Sequence, residues 1–136
     1  MKLDLLGTTI LDKIHAVVNS IKKETGEVVD FYDIYTNKLD DEATFDIFTK
    51  GFTQNVFQFA SSGITKFIES MEPTDIEDII NATALYRPAT MNLDLHTDYV
   101  EMKHGRKEVV YDWGLEEITK TTFGIMVYQE QMMKAV

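Results

Sequence analysis

The sequence predicts a mainly α-helical fold, an irregular helical segment that also contains a few short strands. Apolar residues recur at helical spacing in several stretches, and capping or helix-ending residues bracket these stretches. The 136 residues include two prolines and no repeated or low-complexity segment, so no linker is expected. At this length the chain fits one domain or a piece of a larger one.

The first elements are predicted to be a strand and a long helix. Residues 1–7 alternate polar and apolar side chains and end in glycine, which indicates a short strand. Thr8 or Thr9 then caps a helix that Gly26 ends. Residues 30–42 show little regular period and are predicted to form an ordered connection. The inward residues of the long helix are expected to be Ile10, Leu11, Ile14, Val17, Val18 and Ile21.

Two further helices are predicted before the first proline. The second helix begins after an aspartate, Asp40 or Asp41, and ends at Gly51. Residues 55–63 follow as a buried extended piece, and one of the two serines in it caps a third helix. The inward residues of these two helices are expected to be Phe45, Ile47, Phe48, Ile64, Phe67 and Ile68.

Prolines divide the second half of the chain into shorter elements. Pro73 ends the third helix, and Thr74 with Glu77 forms a capping box for a fourth helix. Arg87 ends that helix, because a residue before proline is pushed out of helical geometry. The inward residues of the fourth helix are expected to be Ile76, Ile79, Ile80 and Leu85. The remaining predicted elements are a helix over 95–102, a turn at 103–107, an extended piece at 108–113, a short helix from 115, a strand at 123–128 and a closing helix.

The charge of the chain limits what it can bind on its own. Thirteen Lys and Arg against 23 Asp and Glu leave a net charge of -10, which argues against autonomous binding of nucleic acid. The absence of cysteine excludes disulfides and thiolate metal sites. No apolar run is long enough to span a membrane. Asp4 and Asp12 interrupt the apolar stretch at the start of the chain, which argues against a signal peptide. The protein is therefore expected to be soluble and intracellular.

A metal site is a minor hypothesis for residues 92–98. Asp94, His96 and Asp98 alternate there and would share one face of a strand. Asn92 and Thr97 suit loops and helix caps better, so the pattern favours a non-metal interpretation.

The turn at residues 103–107 concentrates positive charge in an acidic chain. Lys103, His104, Arg106 and Lys107 surround its glycine. Such a turn is typical of a solvated surface, but a local cationic loop is also what a triphosphate or a DNA backbone requires. Arg87, before a proline, is a second fixed cation of this kind.

The closing stretch, residues 121–133, places polar side chains directly behind an apolar run. Gln129, Glu130 and Gln131 fit the first turn of a helix, where they would face unpaired backbone amides. They could equally line a functional surface, and the local pattern leaves both interpretations open.

Five motifs together resemble one protein family. "NVFQFASSGI" (55–64), "IEDIINATALYRPATM" (76–91), "YVEMKHGRKEVVY" (99–111) and "TTFGIMVYQEQMM" (121–133) are similar, in order and interval, to the fingers region of the bacterial replicative DNA polymerase III α subunit, a C-family polymerase. The opening "KLDLLG" (2–7) resembles the strand that precedes the fingers. The resemblance covers nearly the whole chain, and it implies an irregular helical segment of the fingers type.

The resemblance implies a final palm strand at residues 1–7 and a partial fingers domain, one compact unit, at 8–136. In this family three palm aspartates hold two magnesium ions for nucleotidyl transfer. Asp4 matches one of them and is the implied catalytic residue and metal ligand, and Lys2 matches a lysine near the active site. The other two aspartates lie well upstream in the family, so the chain alone is expected to be inactive.

The resemblance also implies residues that contact nucleotide or DNA. The positions where the family is cationic, with implied contacts to triphosphate or template backbone, are Arg87, Lys103, His104 and Arg106. Gln129 and Glu130 match the polar face after the last strand, an implied nucleotide-facing wall. The implied partners are a DNA primer-template, dNTP, and the rest of the polymerase chain or other replisome proteins, in the cytoplasm of a bacterial or phage-infected cell and without a membrane.

The sequence departs from the family pattern at two places. Ala89 and Thr90 stand where the family usually has Gly-Pro after Arg-Pro, which is expected to loosen the turn and to change the aim of Arg87. Ala60 replaces a usual glutamate. A non-catalytic, acidic helical protein-interaction module derived from the polymerase is the alternative function, and a small stand-alone magnesium enzyme is a weaker one.

Overall fold

The computed structural model of the chain describes residues 9–37 and 39–136. In these residues the backbone forms helices, turns and bends with no strand, so the predicted mainly α-helical fold is confirmed. None of the described helices combines the length and the apolar character that crossing a bilayer requires. The strand predicted at residues 1–7 lies outside the described residues. The helices are α1 (Thr9–Thr25), α2 (Phe31–Asn37), α3 (Glu42–Thr49), α4 (Ser62–Met71), α5 (Ile76–Leu85), α6 (Pro88–Met91), α7 (Leu95–Lys103), α8 (Glu116–Thr119) and α9 (Gln129–Ala135).

The chain divides into two compact units, one up to Leu39 and one from Asp40. In the first unit the predicted long helix, α1, is confirmed and ends before Gly26, whose φ is +77°. The inward assignment of Leu11, Ile14 and Val17 is wrong, because their side chains are 60%, 40% and 59% exposed. The prediction of a connection at residues 30–42 is wrong, because α2 forms there. Asp30 starts this helix: its Oδ1 accepts hydrogen bonds from the backbone N–H groups of Tyr32 (2.9 Å) and Asp33 (3.2 Å). Seven residues are too few for a clear helical period.

Helix α3 begins the second unit and has the predicted cap. Asp41 Oδ2 accepts from the Thr44 N–H (2.7 Å), and the hydrogen bonds from Thr44 lower the pKa of the Asp41 carboxyl. Phe45 and Phe48 are buried as predicted. The inward assignment of Ile47 is wrong, since its side chain is 40% exposed; two residues along a helix turn the side chain by about 200°.

Helix α4 lies at the centre of the second unit and packs against α3, α5 and α7. Its predicted apolar face is buried, and Ser61 occupies the position before its first residue. The inward assignment of Ile80 on α5 is wrong, because that side chain is largely exposed. The buried core consists of Phe48, Phe59, Ile64, Phe67, Ile68, Met71, Ala82, Leu85, Tyr99, Val100, Met102 and Ile125.

Residues 55–63 do not form the predicted buried extended piece. Residues 55–59 form turns and a bend in which Phe59 is buried while Phe57 is 56% exposed, and α4 already begins at Ser62. The buried Thr53 hydroxyl donates to the Phe59 carbonyl oxygen (2.7 Å), and the Thr65 hydroxyl donates to the same oxygen (3.1 Å). These two side chains hold the segment in a turn, which no periodicity of apolar residues reveals.

The predicted capping box of α5 is wrong by one residue. Asp75, and not Thr74, precedes the helix and accepts from the Asp78 N–H (3.0 Å). Thr74 donates its own N–H to Asp78 Oδ2 (2.9 Å). The helix ends at Leu85, and Arg87 is extended as predicted (φ −125°, ψ 150°) before Pro88 starts α6.

A buried set of polar side chains, here called the α5 polar cluster, joins α5 to the later elements. It consists of Asp78, Asn81, Tyr99, Lys103 and Tyr128. Lys103 Nζ donates to Asp78 Oδ2 (2.6 Å), and the Tyr99 hydroxyl donates to Asp78 Oδ1 (3.3 Å). Asn81 Nδ2 donates to the Tyr99 oxygen (2.9 Å), and the Tyr128 hydroxyl donates to Asn81 Oδ1. One continuous chain of hydrogen bonds therefore connects α7 to the start of α9.

The strand predicted at 123–128 is wrong, because this stretch forms no ladder, and residues 108–112 of the predicted extended piece form no regular element. A 3₁₀ turn (Lys120–Thr122) follows α8, and Gly124 (φ +82°) then lies so close to the backbone that a Cβ there would be 2.5 Å from the Val110 carbonyl oxygen. The buried side chain of Gln131 binds the backbone at the end of the stretch 123–128. Its Oε1 accepts from the N–H of Val127 (2.8 Å) and of Tyr128 (2.9 Å). A side-chain amide thus binds backbone groups that a strand partner would have satisfied.

Replacement of Asn81 by alanine is expected to lower the free energy of unfolding by about 3 kcal/mol, because the Tyr128 hydroxyl loses its acceptor, and the Thr121 carbonyl and the Tyr99 oxygen lose the donor that Asn81 supplies. Denaturant unfolding followed by circular dichroism measures the change. The control is Asn55→Ala at an exposed turn, which should alter stability by less than about 0.5 kcal/mol. Equal stability of the two variants would contradict the central role of Asn81.

Stability is expected to fall at alkaline pH. Burial raises the pKa of Tyr99 and of Tyr128 above the ordinary value near 10, and nearby carboxylates raise both further. Because the folded state holds these protons more tightly than the unfolded chain, the free energy of unfolding is retained below about pH 10 and is lost as pH rises further. Denaturant midpoints measured across this range should show the loss. Tyr99→Phe should flatten the dependence, whereas Tyr35→Phe, at a 72% exposed position, should leave it unchanged.

Candidate functional site

The predicted site residues fall into three groups along the chain. Lys2 and Asp4 lie outside the described residues. The cationic residues Arg87, Lys103, His104 and Arg106 lie at the ends of α5 and α7, and Gln129 and Glu130 begin α9.

Lys103 is bound within the fold. Its side chain is 13% exposed, and the Asp78 side chain that it contacts is 7% exposed. A buried ammonium is stable there because the carboxylate compensates its lost hydration. Lys103 therefore holds α7 against α5, and contact with a ligand stays a prediction for this residue.

His104 fixes the cationic turn to α4. Its Nε2 lies 3.0 Å from the Ser70 carbonyl oxygen, and because a carbonyl oxygen can only accept, Nε2 must carry the proton. Gly105 follows with φ +69°, a left-handed conformation that glycine adopts without strain. The Arg106 N–H then donates to the Glu101 carbonyl oxygen (2.8 Å) and closes the turn.

The two remaining cations of the turn pair with carboxylates of α7. Arg106 Nε donates to Glu101 Oε2 (3.0 Å) and Nη2 donates to Oε1 (2.9 Å), a two-point contact that fixes the plane of the guanidinium. The hydrogen bond from Arg106 lowers the pKa of the Glu101 carboxyl. Lys107 pairs with Asp98 (2.6 Å). Arg106 remains 52% exposed, so it can also contact a ligand.

Arg106 lies in a cavity of about 420 Å³ between α4 and α7, here called the α4–α7 pocket. The cavity carries two cations, Lys66 and Arg106, and one carboxylate, Glu101. Its aromatic wall is Tyr86, which stacks on Phe67 with ring centroids 5.7 Å apart. The residues that line the α4–α7 pocket are Gly63, Lys66, Phe67, Ser70, Tyr86, Met91, His96, Thr97, Val100, Glu101 and Arg106.

Arg87 lies in a neighbouring cavity of about 310 Å³, here called the Arg87 pocket. Arg87 Nε donates to the Thr83 carbonyl oxygen (3.3 Å), which places the guanidinium beside the end of α5. Tyr86 lines both cavities, so the cavity of Arg87 and the cavity of Arg106 share one lining residue. The Arg87 pocket is lined by Gln58, Ser61, Ile64, Thr83, Tyr86 and Arg87.

The substitutions after Arg87 do not loosen its turn, contrary to the expectation from sequence. Ala89 lies within α6, where no left-handed conformation is required. The Thr90 hydroxyl donates to the carbonyl oxygens of Leu85 (2.5 Å) and Arg87 (3.0 Å). Thr90 thus ties α6 to the last turn of α5, and a side-chain hydrogen bond holds this turn.

The polar residues at the start of α9 differ in their burial. Gln131 is buried and structural, whereas Gln129 and Glu130 are exposed. Glu130 lines a cavity of about 450 Å³ together with Glu77 and Glu117, and this cavity shares no lining residue with the α4–α7 pocket or the Arg87 pocket. Three carboxylates against one cation, Lys134, line this cavity, and this balance disfavours phosphate. A nucleotide-facing role of Gln129 and Glu130 stays a prediction.

The minor metal hypothesis finds no support in residues 9–37 and 39–136, which contain no group of three or more metal-ligating acidic or histidine side chains. Helix α7 begins at Leu95, so Asp94, His96 and Asp98 do not alternate along a strand. The His96 ring packs edge-on against Phe67 (5.6 Å between centroids), and Asp98 pairs with Lys107.

Reasoning from sequence missed Lys66, Tyr86 and His96 as lining residues. Lys66 is a polar position on a helix of apolar periodicity, and such positions are usually solvated. Tyr86 directly precedes Arg87, and that adjacency is the one signal that pointed toward this surface. The pocket is formed by residues from three separate helices and could be recognised only after they were packed.

Comparison with known proteins finds relatives along nearly the whole chain. The family model described as the bacterial DNA polymerase III alpha subunit finger domain matches residues 10–136. The chain is 39% identical to DNA polymerase III subunit alpha of Chlamydia pneumoniae, over 98% of this chain and 10% of that protein. It is 42% identical to the Xylella fastidiosa protein of the same name and 34% identical to that of Aquifex aeolicus, each over 98% of this chain and 11% of the relative.

The family match covers far more than half of the chain, and the chain spans about a tenth of the length of these relatives. The matched region includes every residue of the α5 polar cluster, the α4–α7 pocket and the Arg87 pocket. The chain belongs to the family of the bacterial DNA polymerase III alpha subunit finger domain.

Proposed function

We propose that this chain acts as part of a DNA-directed DNA polymerase, in template-directed nucleotidyl transfer during DNA replication. The observation that carries the proposal is that Arg87 and Arg106 line two cavities with Tyr86 in common, within a chain whose family is the finger domain of such an enzyme. Two guanidinium groups beside an aromatic side chain supply the bidentate, charge-assisted donors that phosphate oxygens accept.

In the proposed function Arg87 and Arg106 contact the triphosphate of the incoming nucleotide or the backbone of the template. Lys103 and His104 hold the turn that carries Arg106, because both side chains already contact α5 or α4. Positioning of this kind supports catalysis, since a cation that is fixed before the ligand arrives loses less entropy on binding. Gln129 and Glu130 form a wall facing the nucleotide in this proposal.

The proposal assigns residues 1–7 to the last strand of a palm and residues 8–136 to part of the fingers. Asp4 would hold magnesium and Lys2 would lie near it. A single carboxylate does not hold two ions, and residues 9–37 and 39–136 supply no further acidic cluster, so the remaining ligands would come from the rest of the polymerase. Magnesium would supply activation of the primer hydroxyl and neutralisation of phosphate charge. The chain alone is proposed to be inactive.

The proposed partners are a primer-template, dNTP, and the rest of the polymerase chain or other replisome proteins, without a membrane. The proposed location is the cytoplasm of a bacterial or phage-infected cell. With a net charge of -10 the chain repels DNA at long range, so DNA contact would depend on cationic surface from the rest of the enzyme.

A second candidate function is a non-catalytic protein-interaction module. It is favoured by large apolar side chains that the described second unit leaves open to solvent. Trp113 is 101% exposed and Phe52 is 71% exposed. Aromatic side chains of this kind are enriched at protein interfaces.

Replacement of Asp4 by asparagine is expected to abolish primer extension when the chain is combined with the remaining polymerase segments. Loss of one carboxylate ligand removes the charge that holds the ion, so a fall of at least about 100-fold in rate is expected. Extension of a labelled primer measures the rate. Asp12→Asn on α1 is the control, and equal activity of the Asp4 variant and the unmodified chain would refute the metal assignment.

Replacement of Arg106 by alanine is expected to raise the nucleotide concentration at half-maximal rate by about tenfold in the same complemented enzyme, because two charge-assisted donors are lost. The matched control is Lys107→Ala, which removes a charge from the same turn but outside the α4–α7 pocket. Steady-state kinetics of nucleotide incorporation measure the effect. If both variants shift the value equally, general charge and not a specific contact is responsible.

A further inference from the structure

We propose that a groove between α5, α8 and α9 is a docking surface for a basic amphipathic helix of a partner protein. The groove is the cavity of about 450 Å³ that Glu130 lines, and it is here called the α9 groove. The inference goes beyond the proposed polymerase function and does not depend on it. The lining side chains that carry the proposal are Ile80, Ile118, Tyr128, Glu77, Glu117 and Glu130.

The α9 groove has an apolar floor. Ile80 of α5 is 44% exposed, although it is a large apolar side chain in the middle of a helix. The half-buried side chains of Ile118 and Tyr128 line the same cavity. A single exposed isoleucine on a surface is ordinary, but three such side chains in one concave site form the kind of surface that the apolar face of a helix covers.

The rim of the groove is acidic. Glu77, Glu117 and Glu130 come from three different helices, against one basic lining residue, Lys134. Glu77 and Glu130 make no hydrogen bond or ion pair within the described part of the chain. Glu117 binds Lys120 (2.6 Å), but both side chains are more than half exposed, and a surface pair of this kind is weak enough to exchange for another cation. The rim is therefore complementary to lysine or arginine beside an apolar stripe.

A second acidic cavity shows why the apolar floor matters. It has a volume of about 430 Å³, and it is lined by Glu42, Asp46 and Glu72 without a basic side chain. The apolar residues that line it, Phe45 and Pro73, are both buried, so a partner would find little exposed apolar surface there. The α4–α7 pocket carries two cations and would repel a basic segment. Of these three cavities, the α9 groove fits a basic amphipathic partner best.

The walls of the groove are ordered before a partner arrives. The Gln131 side chain lines the groove, and its Nε2 donates to the Ile118 carbonyl oxygen (3.2 Å), which ties α9 to α8. The Tyr128 hydroxyl donates to Asn81 Oδ1 and ties the start of α9 to α5. A surface that is fixed in advance loses less conformational entropy on binding. The three helices therefore present one preorganised surface.

A helix fits this surface better than an extended segment does. Extended segments commonly bind by adding a strand to the exposed edge of a sheet, and residues 9–37 and 39–136 contain no strand. An amphipathic helix satisfies its own backbone hydrogen bonds and binds through side chains alone. The expected partner therefore has apolar residues at helical spacing, flanked by lysine or arginine.

The test is binding of a synthetic peptide to the 136-residue chain, which needs no polymerase activity. The probe is a helical peptide of leucine and lysine, with leucine at positions i, i+3, i+4 and i+7 and lysine elsewhere. Calorimetric titration measures the affinity, and backbone amide shifts in NMR locate the site. We expect saturable binding with the largest shifts in α5, α8 and α9. Absence of saturable binding, or largest shifts elsewhere, would overturn the proposal.

Two pairs of matched variants test the groove itself. Ile80→Ser is expected to weaken binding about tenfold, because an apolar anchor is lost. Its control is Ile47→Ser, at a 40% exposed position of α3 outside the groove. Glu77→Gln is expected to weaken binding about fivefold, because a rim charge is lost. Its control is Glu42→Gln, which removes the same charge from the first turn of α3 and lines the second acidic cavity instead.

Both controls should leave binding unchanged. Circular dichroism verifies that each of the four variants folds. An equal loss of affinity in the two members of either pair would overturn the proposal, because it would indicate attraction by net charge or by exposed apolar surface in general.

Two altered peptides test what the groove recognises. Replacement of every lysine by glutamate should abolish binding, because the rim then faces like charge. Replacement of every leucine by serine should weaken binding at least about tenfold, because the floor loses its apolar contact. If either altered peptide binds as tightly as the leucine-lysine peptide, a basic amphipathic helix is not the ligand.

Other occupants of the groove would give different results. If a second copy of the chain occupies it, the chain without peptide sediments as a dimer, and Ile80→Ser makes it monomeric. If a nucleotide occupies it, titration with dTTP shifts the backbone amides of α5, α8 and α9. Either result would overturn the assignment to a partner helix. Absence of peptide binding would leave the primer-extension tests of the polymerase function unaffected, so the two proposals fail separately.

Discussion

The second unit depends on the amide of Asn81, which lies at the centre of its core. Burial of an amide and a carboxylate on one helix is unfavourable unless each polar atom finds a partner. In the α5 polar cluster, Asn81 and Asp78 find theirs on α7 and on the segment before α9. The apolar core could accommodate small rotations of these helices, but directional hydrogen bonds cannot. The cluster therefore determines how α5, α7 and α9 are oriented.

The same cluster places the candidate site. Lys103 is both a member of the cluster and the residue before the cationic turn, so the position of Arg106 follows from an ion pair beneath it. At the other end of α5, the backbone continues through Tyr86, which lines both cavities, to Arg87. A structural contact and a proposed ligand contact are thus separated by less than one helical turn. In this arrangement the buried ion pair of Lys103 positions the turn, and the exposed guanidinium of Arg106 is the proposed contact for a ligand.

The helices with apolar residues at helical spacing could be predicted from the sequence, since α1, α3, α4 and α5 show that period and have recognisable ends. The prediction failed where hydrogen bonds of side chains replace that period. Gln131 and Thr53 hold irregular segments whose apolar residues had predicted extended structure. Asp30 starts a helix that is too short to show a helical period. Of the candidate site, the cationic turn and Arg87 were recognisable, whereas Lys66 resembles any solvated lysine.

By itself the sequence determined that the chain is mainly helical, acidic and similar to a polymerase fingers region, because periodicity, charge and ordered motifs are properties of the chain read in one dimension. Only the tertiary structure decided which charged residues pair within the fold and which are exposed and can contact a ligand. Lys103 and Arg106 differ by three positions and look alike in sequence, yet one is buried against Asp78 and the other is open to solvent. The difference arises from packing against α5, a contact between residues far apart in the chain.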